Sequence, residues 1–550
     1  MIITKLLCPE EGKYGVGGYD IMTLLRSPFE SVAHSLALTL RAAKNSKAQK
    51  MDLPKDTYHI YADEAATQVL CVSNHGHNGF KSAALSIHRM EDLTIDGNGS
   101  TFILHGAMDF AIVSESKNIT IRNLTVTCAD TCNFQGKVTE VANGCVTVEL
   151  EGDPQVELFG DMLVQRFDMQ YEPVTRTLDY VAETKQLRRG TGDHNFGATI
   201  HSLRKTLEGS TLRIYDAPVM PSVGDVIVFA TSRRCNQAFL LSHSQDVTLE
   251  NVTVHTCWGM GLIAQKCRNV TVRGFSVTPE GDRCWSSGQD ATHFCNCSGR
   301  IVIESCLFEN QLDDAVNLHG IYTKIEKVLD DRILVRYAHH QTRGISIYNM
   351  GDDIQMLDPK TQMPTAFARV ANAEVLNPDL TILTLREITG DILPGMVVEN
   401  LSDAPDALLS SNIVRNNRSR GFLIGVKGKV EIRNNHFHNS GAAIQFEASA
   451  DRWMESGSVR DVVIEDNFFD DCMYGKSKFQ GVIDVGRRPV VLRDFYFHDR
   501  IAIRNNRFTQ RHIPCVWAEN VGDLIFDGNV YTCPVPVVAE HCVVNGEKVD

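Results

Sequence analysis

One short pattern of apolar and polar residues recurs along the chain. A clear copy is Asn118-Ile119-Thr120-Ile121-Arg122-Asn123-Leu124-Thr125-Val126. Apolar and polar positions alternate, a bend of Asn, Asp, Ser or Gly follows, and a further apolar residue then turns inward. Other copies occupy residues 92–98, 246–254, 269–277, 300–308, 429–437, 461–469, 500–508 and 523–531. Alternation at a period of two predicts half-buried strands. A single copy cannot bury its own apolar face, so the copies must stack as the coils of a parallel β-helix. The crossover rule makes that helix right-handed. Stacked Asn434/Asn435, Asn467 and Asn505/Asn506 are expected to form amide ladders at the bend.

Two gaps interrupt the rhythm, between the copies that begin at Asn118 and Asp246 and between those that begin at Arg300 and Lys429. Strand-rich sequence fills both, and each is expected to fold as a small β-barrel. The second should stand over the middle of the helix and wall a groove there. Before the repeats, Ser27, Pro28 and Glu30 suit a helix start. Val32, Leu36, Leu38, Leu40 and Ala43 follow as its apolar positions, and such a helix would plug the first coil and hide an edge strand. The fold class read from the pattern is all-β: a right-handed parallel β-helix with two inserted small β-barrels and an N-terminal capping helix. The units are residues 1–129 (cap and first coils), 130–234 (first insert), 235–320 (central coils), 321–407 (second insert) and 408–550 (last coils and cap). The repeat is lost after Cys533, where a cap of the last coil is expected.

Composition narrows the picture. A formal charge of −14 without a clustered basic run disfavours nucleic acid or an anionic membrane as partner. No apolar run reaches the roughly 18 residues of a membrane span, and Met1 to Gly18 does not read as a signal peptide. The 16 cysteines are scattered without zinc spacing, so free buried thiols in a reducing cytoplasm are expected. Asn-x-Ser/Thr matches at Asn118, Asn251 and Asn269 fall inside repeats and read as repeat composition, not glycosylation.

Candidate chemistry sits in the central coils. Asp290-Ala291-Thr292-His293-Phe294 slides onto Asp314-Ala315-Val316-Asn317-Leu318 at an offset of 24 residues, one coil. Neighbouring coils lie about 4.8 Å apart, so Asp290, Asp313 and Asp314 would meet, with His293, Asn317 and His319 beside them. Carboxylates repel unless something uses or neutralises them. Such a groove suits glycoside hydrolysis, with one carboxylic acid protonating the leaving oxygen and another activating water or attacking the sugar. Two negative neighbours should keep a proton on Asp313, the acid, while Asp290 and Asp314 grip a water. Strand alternation puts Asp313 and Asp314 on opposite faces, so a bend must bring both to bear. Its offset should open the carboxyl gap toward the roughly 6.5–9.5 Å of inverting enzymes.

Arg and Lys are expected to be absent from the immediate cluster, which disfavours a lyase, and no Gly-x-Ser-x-Gly elbow is present. No metal and no cofactor is required. A loop at residues 448–457 offers Trp453 for stacking on a pyranose and Asp451, Arg452 and Glu455 for hydroxyls; a Trp closing the coil is the alternative. Trp258 is either groove floor or packing. His339, His340, Arg343, Tyr348, Asp352 and Asp353 in the second insert could contact a further sugar. A noncatalytic carbohydrate-binding β-helix is a competing reading.

These stretches resemble glycoside hydrolase family 110, exo-acting α-1,3-galactosidases that remove the terminal galactose of blood group B antigens. The likeness lies in Ser73-Asn74-His75, residues 93–106, 290–294 and 310–320, and Trp453 to Gly457. It implies an inverting, metal-independent hydrolase acting on an oligosaccharide, with its acid on Asp313 and its bases on Asp290 and Asp314. Trp258-Gly259-Met260-Gly261 is bulkier than the family pattern, which leaves fine specificity open; a homodimer is a separate open possibility. Polygalacturonases share the fold and an Asp…Asp-Asp triad, but they need a positive pair for the uronate. The nearest basic stretch, Lys427-Gly428-Lys429, sits on the next regular coil.

Overall fold

The computed structural model describes residues 21–23, 31–75, 78–167, 170–486 and 494–549. Each coil supplies short strands, and like strands of successive coils pair in parallel. One column runs from Lys117–Cys128 through Gln245–Val254, Arg268–Arg273, Ser298–Glu304, Asp406–Ser410, Lys429–Arg433 and Asp461–Glu465 to His498–Arg504. A second contains Leu307–Glu309, Ile413–Arg415, His436–His438, Phe468–Phe469 and Arg507–Phe508. The third, which carries the site, contains Leu262–Gln265, Thr292–Cys295, Val316–Ile321, Phe422–Gly425, Ile444–Phe446 and Ile483–Val485. This is the parallel β-helix expected from the repeat.

The inward residue after each bend builds the core. Phe437 stacks on Phe469 at 5.1 Å between ring centroids, and Phe469 on Phe508 at 4.5 Å. At the bend, Asn412, Asn435, Asn467, Asn506 and Asn529 form a side-chain ladder with Nδ2–Oδ1 distances of 2.9–3.0 Å. The ladder is longer than expected and uses one Asn of each pair. Asn434 and Asn505 instead take left-handed backbone (φ 54° in both) and make the turn. Asn467 Nδ2 also donates to the Ile432 carbonyl at 2.9 Å. Asn467→Ala therefore strands buried partners on the coils either side, and chemical denaturation should report a loss of about 1–3 kcal/mol.

Asp406–Ser410 corrects the reading of the second gap. It pairs with Ser298–Glu304 on one side and Lys429–Arg433 on the other, so one coil had gone unrecognised in that gap. The strands from Thr323 to Asn400 close into a six-stranded barrel. Strands between Phe134 and Thr231 form their own sheet, whose end strands Val156–Phe159 and Lys205–Glu208 lie against each other. The helix spans Val32–Ser46 and is capped by Ser31, whose Oγ accepts from His34 N at 3.0 Å. Ser27, Pro28 and Glu30 lie outside the described residues, as does Met1 to Gly18. Val32, Leu36, Leu40 and Ala43 join the helix to the core of the first coils, whereas Leu38 faces out. After Cys533 the chain adds another parallel strand, Val537–Val544, before turning back through Glu547–Val549.

Every described cysteine is free, and all but Cys71 and Cys145 are buried. Asn118, Asn251 and Asn269 take left-handed backbone within the repeat strands. No described helix is long and apolar enough to cross a membrane.

Candidate active site

The register places His293 beside Asn317 and Phe294 beside Leu318. One coil further on, Val316 pairs with Phe422. Residues two positions before these strands share a corner, so Asp290, Asp314 and Arg420 form one column. Asp313 and Asp314 lie in the bend before Val316–Ile321, and this bend brings both side chains to one cavity of about 410 Å³. One oxygen from each of Asp290, Asp313 and Asp314 falls within 4.8 Å of the others. That spacing corrects the expected wide gap, because the corner draws all three side chains inward. Asp313 is the most open, with 10% side-chain exposure against 4% for Asp290 and 1% for Asp314.

Arginines neutralise the cluster, which corrects the expectation that basic residues are absent from it. Arg420 forks onto Asp314, with Nε 2.8 Å from Oδ1 and Nη2 2.6 Å from Oδ2, and its backbone N–H adds a contact at 3.0 Å. Arg418 donates to Asp313 Oδ1 at 3.0 Å and holds both oxygens of Asp193 at 2.5 Å. Arg234 lies 3.5 Å from Asp313 Oδ2, and Arg176 donates to the Leu312 carbonyl at 3.2 Å.

The electrostatics reverse the argument made for Asp313. Burial pushes its carboxyl up, but Arg418, then Arg234, Arg420 and Arg176, outweigh that and hold it below the usual range. Burial, then Asp313, pushes Asp290 up to about 7. Burial pushes Asp314 upward as well, against the pull of Arg420. Asp313 is therefore the member held ionised, while three donors of Arg420 on its two oxygens oppose the protonation of Asp314 that burial favours. The carboxylates converge closely enough for a divalent cation, but guanidinium groups already occupy oxygens of Asp313 and Asp314.

The cavity also takes in His293, Asn317, Trp453 and Glu455 from the expected set. His319 does not line it: the ring is buried behind, 2.9 Å from His293 and 3.7 Å from Glu455. Residues 455–456 pair antiparallel with Gly320–Ile321 and so fasten the Trp453 loop over the corner. A Cβ at Gly320 would meet Ser456 Oγ at 2.4 Å, so any larger residue there would have to turn that hydroxyl aside. Trp453 is 42% exposed, with its ring 5.2 Å from that of His339.

Two expected ligands fall elsewhere. Trp258 is buried, donates from Nε1 to the Asp130 carbonyl at 2.7 Å, and borders a separate cavity with Asn133 and Trp285. Its coil turns the ring toward the first insert. Asp451 is exposed on the far side of its loop, in a neighbouring recess, where it accepts from Ser449 Oγ at 3.2 Å. The walls are also corrected: the first insert contributes Thr175 and Arg176, whereas the second contributes Gln341. Tyr348 is buried in the second barrel, Asp353 pairs with Arg369, and Arg343 pairs with Asp379. Arg176, Arg234, Arg418 and Arg420 escaped the sequence reading. Arg420 had a signal, its place in the Asp290–Asp314 column, but the unrecognised coil at Asp406–Ser410 hid the register.

Residues 332–395 match the family model described as GLAA-B beta-barrel domain II. An α-1,3-galactosidase B of Parabacteroides distasonis is 30% identical over 95% of this chain and 89% of its own length. Another, from Phocaeicola vulgatus, is 30% identical over 90% of this chain and 87% of its own. An α-1,3-galactosidase A of Bacteroides fragilis is 26% identical over 91% and 84%. Among solved structures, a family 28 exopolygalacturonase of Yersinia enterocolitica aligns over 96% of this chain and 79% of that one, at 10% identity and a TM-score of 0.42. With its parallel coils, its barrel and relatives along almost its whole length, the chain belongs to the α-1,3-galactosidases of glycoside hydrolase family 110.

Proposed function

We propose that the protein is an inverting exo-hydrolase that removes terminal α-1,3-linked galactose from oligosaccharides such as the blood group B antigen. The observation that carries this is the convergence of Asp290, Asp313 and Asp314 in one cavity of a chain with this family membership. At about 410 Å³ the cavity falls in the range of small-ligand sites, which suits capture of a chain end.

Asp314 and Asp290 act together as base. Arg420 occupies both oxygens of Asp314, while Asp290 accepts from Asp314 N at Oδ1 and contacts His293 at Oδ2. The bonds already accepted damp both carboxylates as nucleophiles, and the lone pairs left over hold a water between them, which is the nucleophile. Asp313, the most open of the three, protonates the leaving oxygen. Protons on carboxylates this close belong to the group rather than to one member. The high proton affinity of Asp290 keeps one proton in the cluster near neutral pH; a second, taken up from solvent by Asp313 as sugar enters, is the one delivered to the leaving oxygen.

Spacing argues the other way, because oxygens within 4.8 Å sit nearer the roughly 5–5.5 Å of retaining pairs than the inverting range. Time-resolved proton NMR of the anomeric signal decides between the two. β-Galactose is expected first, and α-galactose first would rule out inversion. The same assay on galactosyl-α-1,3-galactose, B trisaccharide and an α-galacturonide ranks the substrates by kcat/KM. The arginines remove the charge objection to a galacturonide, so turnover of that substrate alone would overturn the proposal.

A further inference from the structure

Behind the carboxylates, a chain of side chains runs from Asp290 to Glu455. His293 Nδ1 lies 2.7 Å from Asp290 Oδ2, and His293 Nε2 lies 2.9 Å from His319 Nε2. His319 Nδ1 lies 2.6 Å from the Gly320 carbonyl oxygen, and His319 Nε2 lies 3.7 Å from Glu455 Oε1. The carbonyl can only accept, so His319 Nδ1 carries a proton. Three contacts of hydrogen-bond length then need three protons, and two neutral imidazoles supply one each. Were Asp290 ionised with both rings neutral, one contact would set lone pair against lone pair. All three residues are at least 97% buried from solvent, at 3%, 1% and 3% exposure, and such an unmade contact is costly there.

We propose that the resting protein stores one extra proton in the Asp290–His293–His319 chain, and that this proton moves toward Glu455 when Asp290 takes a proton from the attacking water. The step rests on the reading of Asp290 as part of the hydrolytic base. At rest, Asp290 Oδ2–H donates to His293 Nδ1, and His293 Nε2–H donates to His319 Nε2. During turnover the water O–H breaks as its oxygen bonds the anomeric carbon, and Asp290 Oδ1 takes that proton. Oδ2 releases its own proton to His293 Nδ1, and His293 passes its Nε2 proton to His319. His319 becomes an imidazolium facing the Glu455 carboxylate, and no proton is gained or lost overall. His293 and His319 thus serve as relay residues rather than the sugar ligands expected of them.

The surroundings fit this direction of travel. Burial, then His319, pushes His293 well below the usual imidazole range, so the middle ring rests neutral. Asp290 faces Asp313, Asp314, Arg234 and Arg420, and its affinity for the proton is high. The far end is more open: Glu455 has 16% side-chain exposure and lines the cavity. Asn74 Nδ2 lies 3.4 Å from both His319 Nε2 and Glu455 Oε1 and fastens that end.

Nitrogen-15 NMR of histidine-labelled wild-type protein without substrate reads the stored proton directly. The expected pattern is a bare His293 Nδ1, with a strongly downfield proton in its bond to Asp290, and a His319 protonated at Nδ1 alone. Two neutral rings both protonated at Nδ1 would mean no extra proton and would overturn the proposal. Glu455→Gln tests the movement. Loss of the counter-charge keeps the proton on Asp290, so the acidic limb of the kcat profile should rise by about one pH unit. KM should stay near wild type, and kcat should recover at higher pH. An equal loss at every pH, or a rise in KM alone, would make Glu455 a sugar contact and overturn the relay. Full activity in Asp290→Asn with the NMR pattern intact would overturn the hydrolytic reading, and the relay with it, while leaving the stored proton standing.

Discussion

Asp313→Asn is expected to lower kcat on galactosyl-α-1,3-galactose by about 10²–10⁴-fold, the range for loss of a general acid. A galactoside with a nitrophenol leaving group should lose far less, because that leaving group departs without protonation. Asp290→Asn and Asp314→Asn should lose activity on both substrates, since water activation serves both. The contrast matters because Asp313 rests ionised among Arg418, Arg234, Arg420 and Arg176. If it is the acid, it takes its proton from solvent when sugar fills the cavity. Equal losses in all three variants would withdraw the assignment, and rescue of Asp290→Asn alone by the activated substrate would transfer the acid role to Asp290.

Arg420→Met should be the most damaging change outside the carboxylates. Three donors of Arg420 meet Asp314, and its Nη1 also reaches Gln445 Oε1 at 3.2 Å. Removing one member of a buried ion pair costs about 3–5 kcal/mol when the other stays charged. Asp314 can avoid part of that cost by taking a proton, since burial and Asp313 and Asp290 all favour its neutral form. A base must be ionised, so the acidic limb of the activity profile should move to higher pH and thermal stability should fall. Arg420→Lys keeps the charge and loses the fork, and should fall between. Wild-type pH dependence in Arg420→Met would show that Asp314 does not need this partner.

The order of legibility along the chain has a physical cause. Strand alternation and stacking are translational, so each copy predicts the next. That is why the Asp290-on-Asp314 register was readable and Phe437, Phe469 and Phe508 were assignable to the core. Where an insert interrupts the translation, the reading failed at once. The coil beginning at Asp406 straddles the boundary drawn at 407/408 and was not recognised as a copy, and Arg420, 106 positions beyond Asp314, was lost with it. The helix start read at Ser27 lies outside the described residues; the described helix is capped at Ser31, where Val32 and Leu36 pack against the first coils.

The sequence by itself determined the coil architecture, the meeting of three carboxylates and the position of the Trp453 loop between two repeats, because each follows from local alternation or a one-coil offset. Only the tertiary structure decided the charge state of the site. Asp193 reaches Arg418 across 225 positions, and Arg176 reaches Leu312 across 136. No period links an insert to the helix beneath it. Carboxylates that seem to repel one another along the chain are therefore held by arginines that folding alone brings beside them.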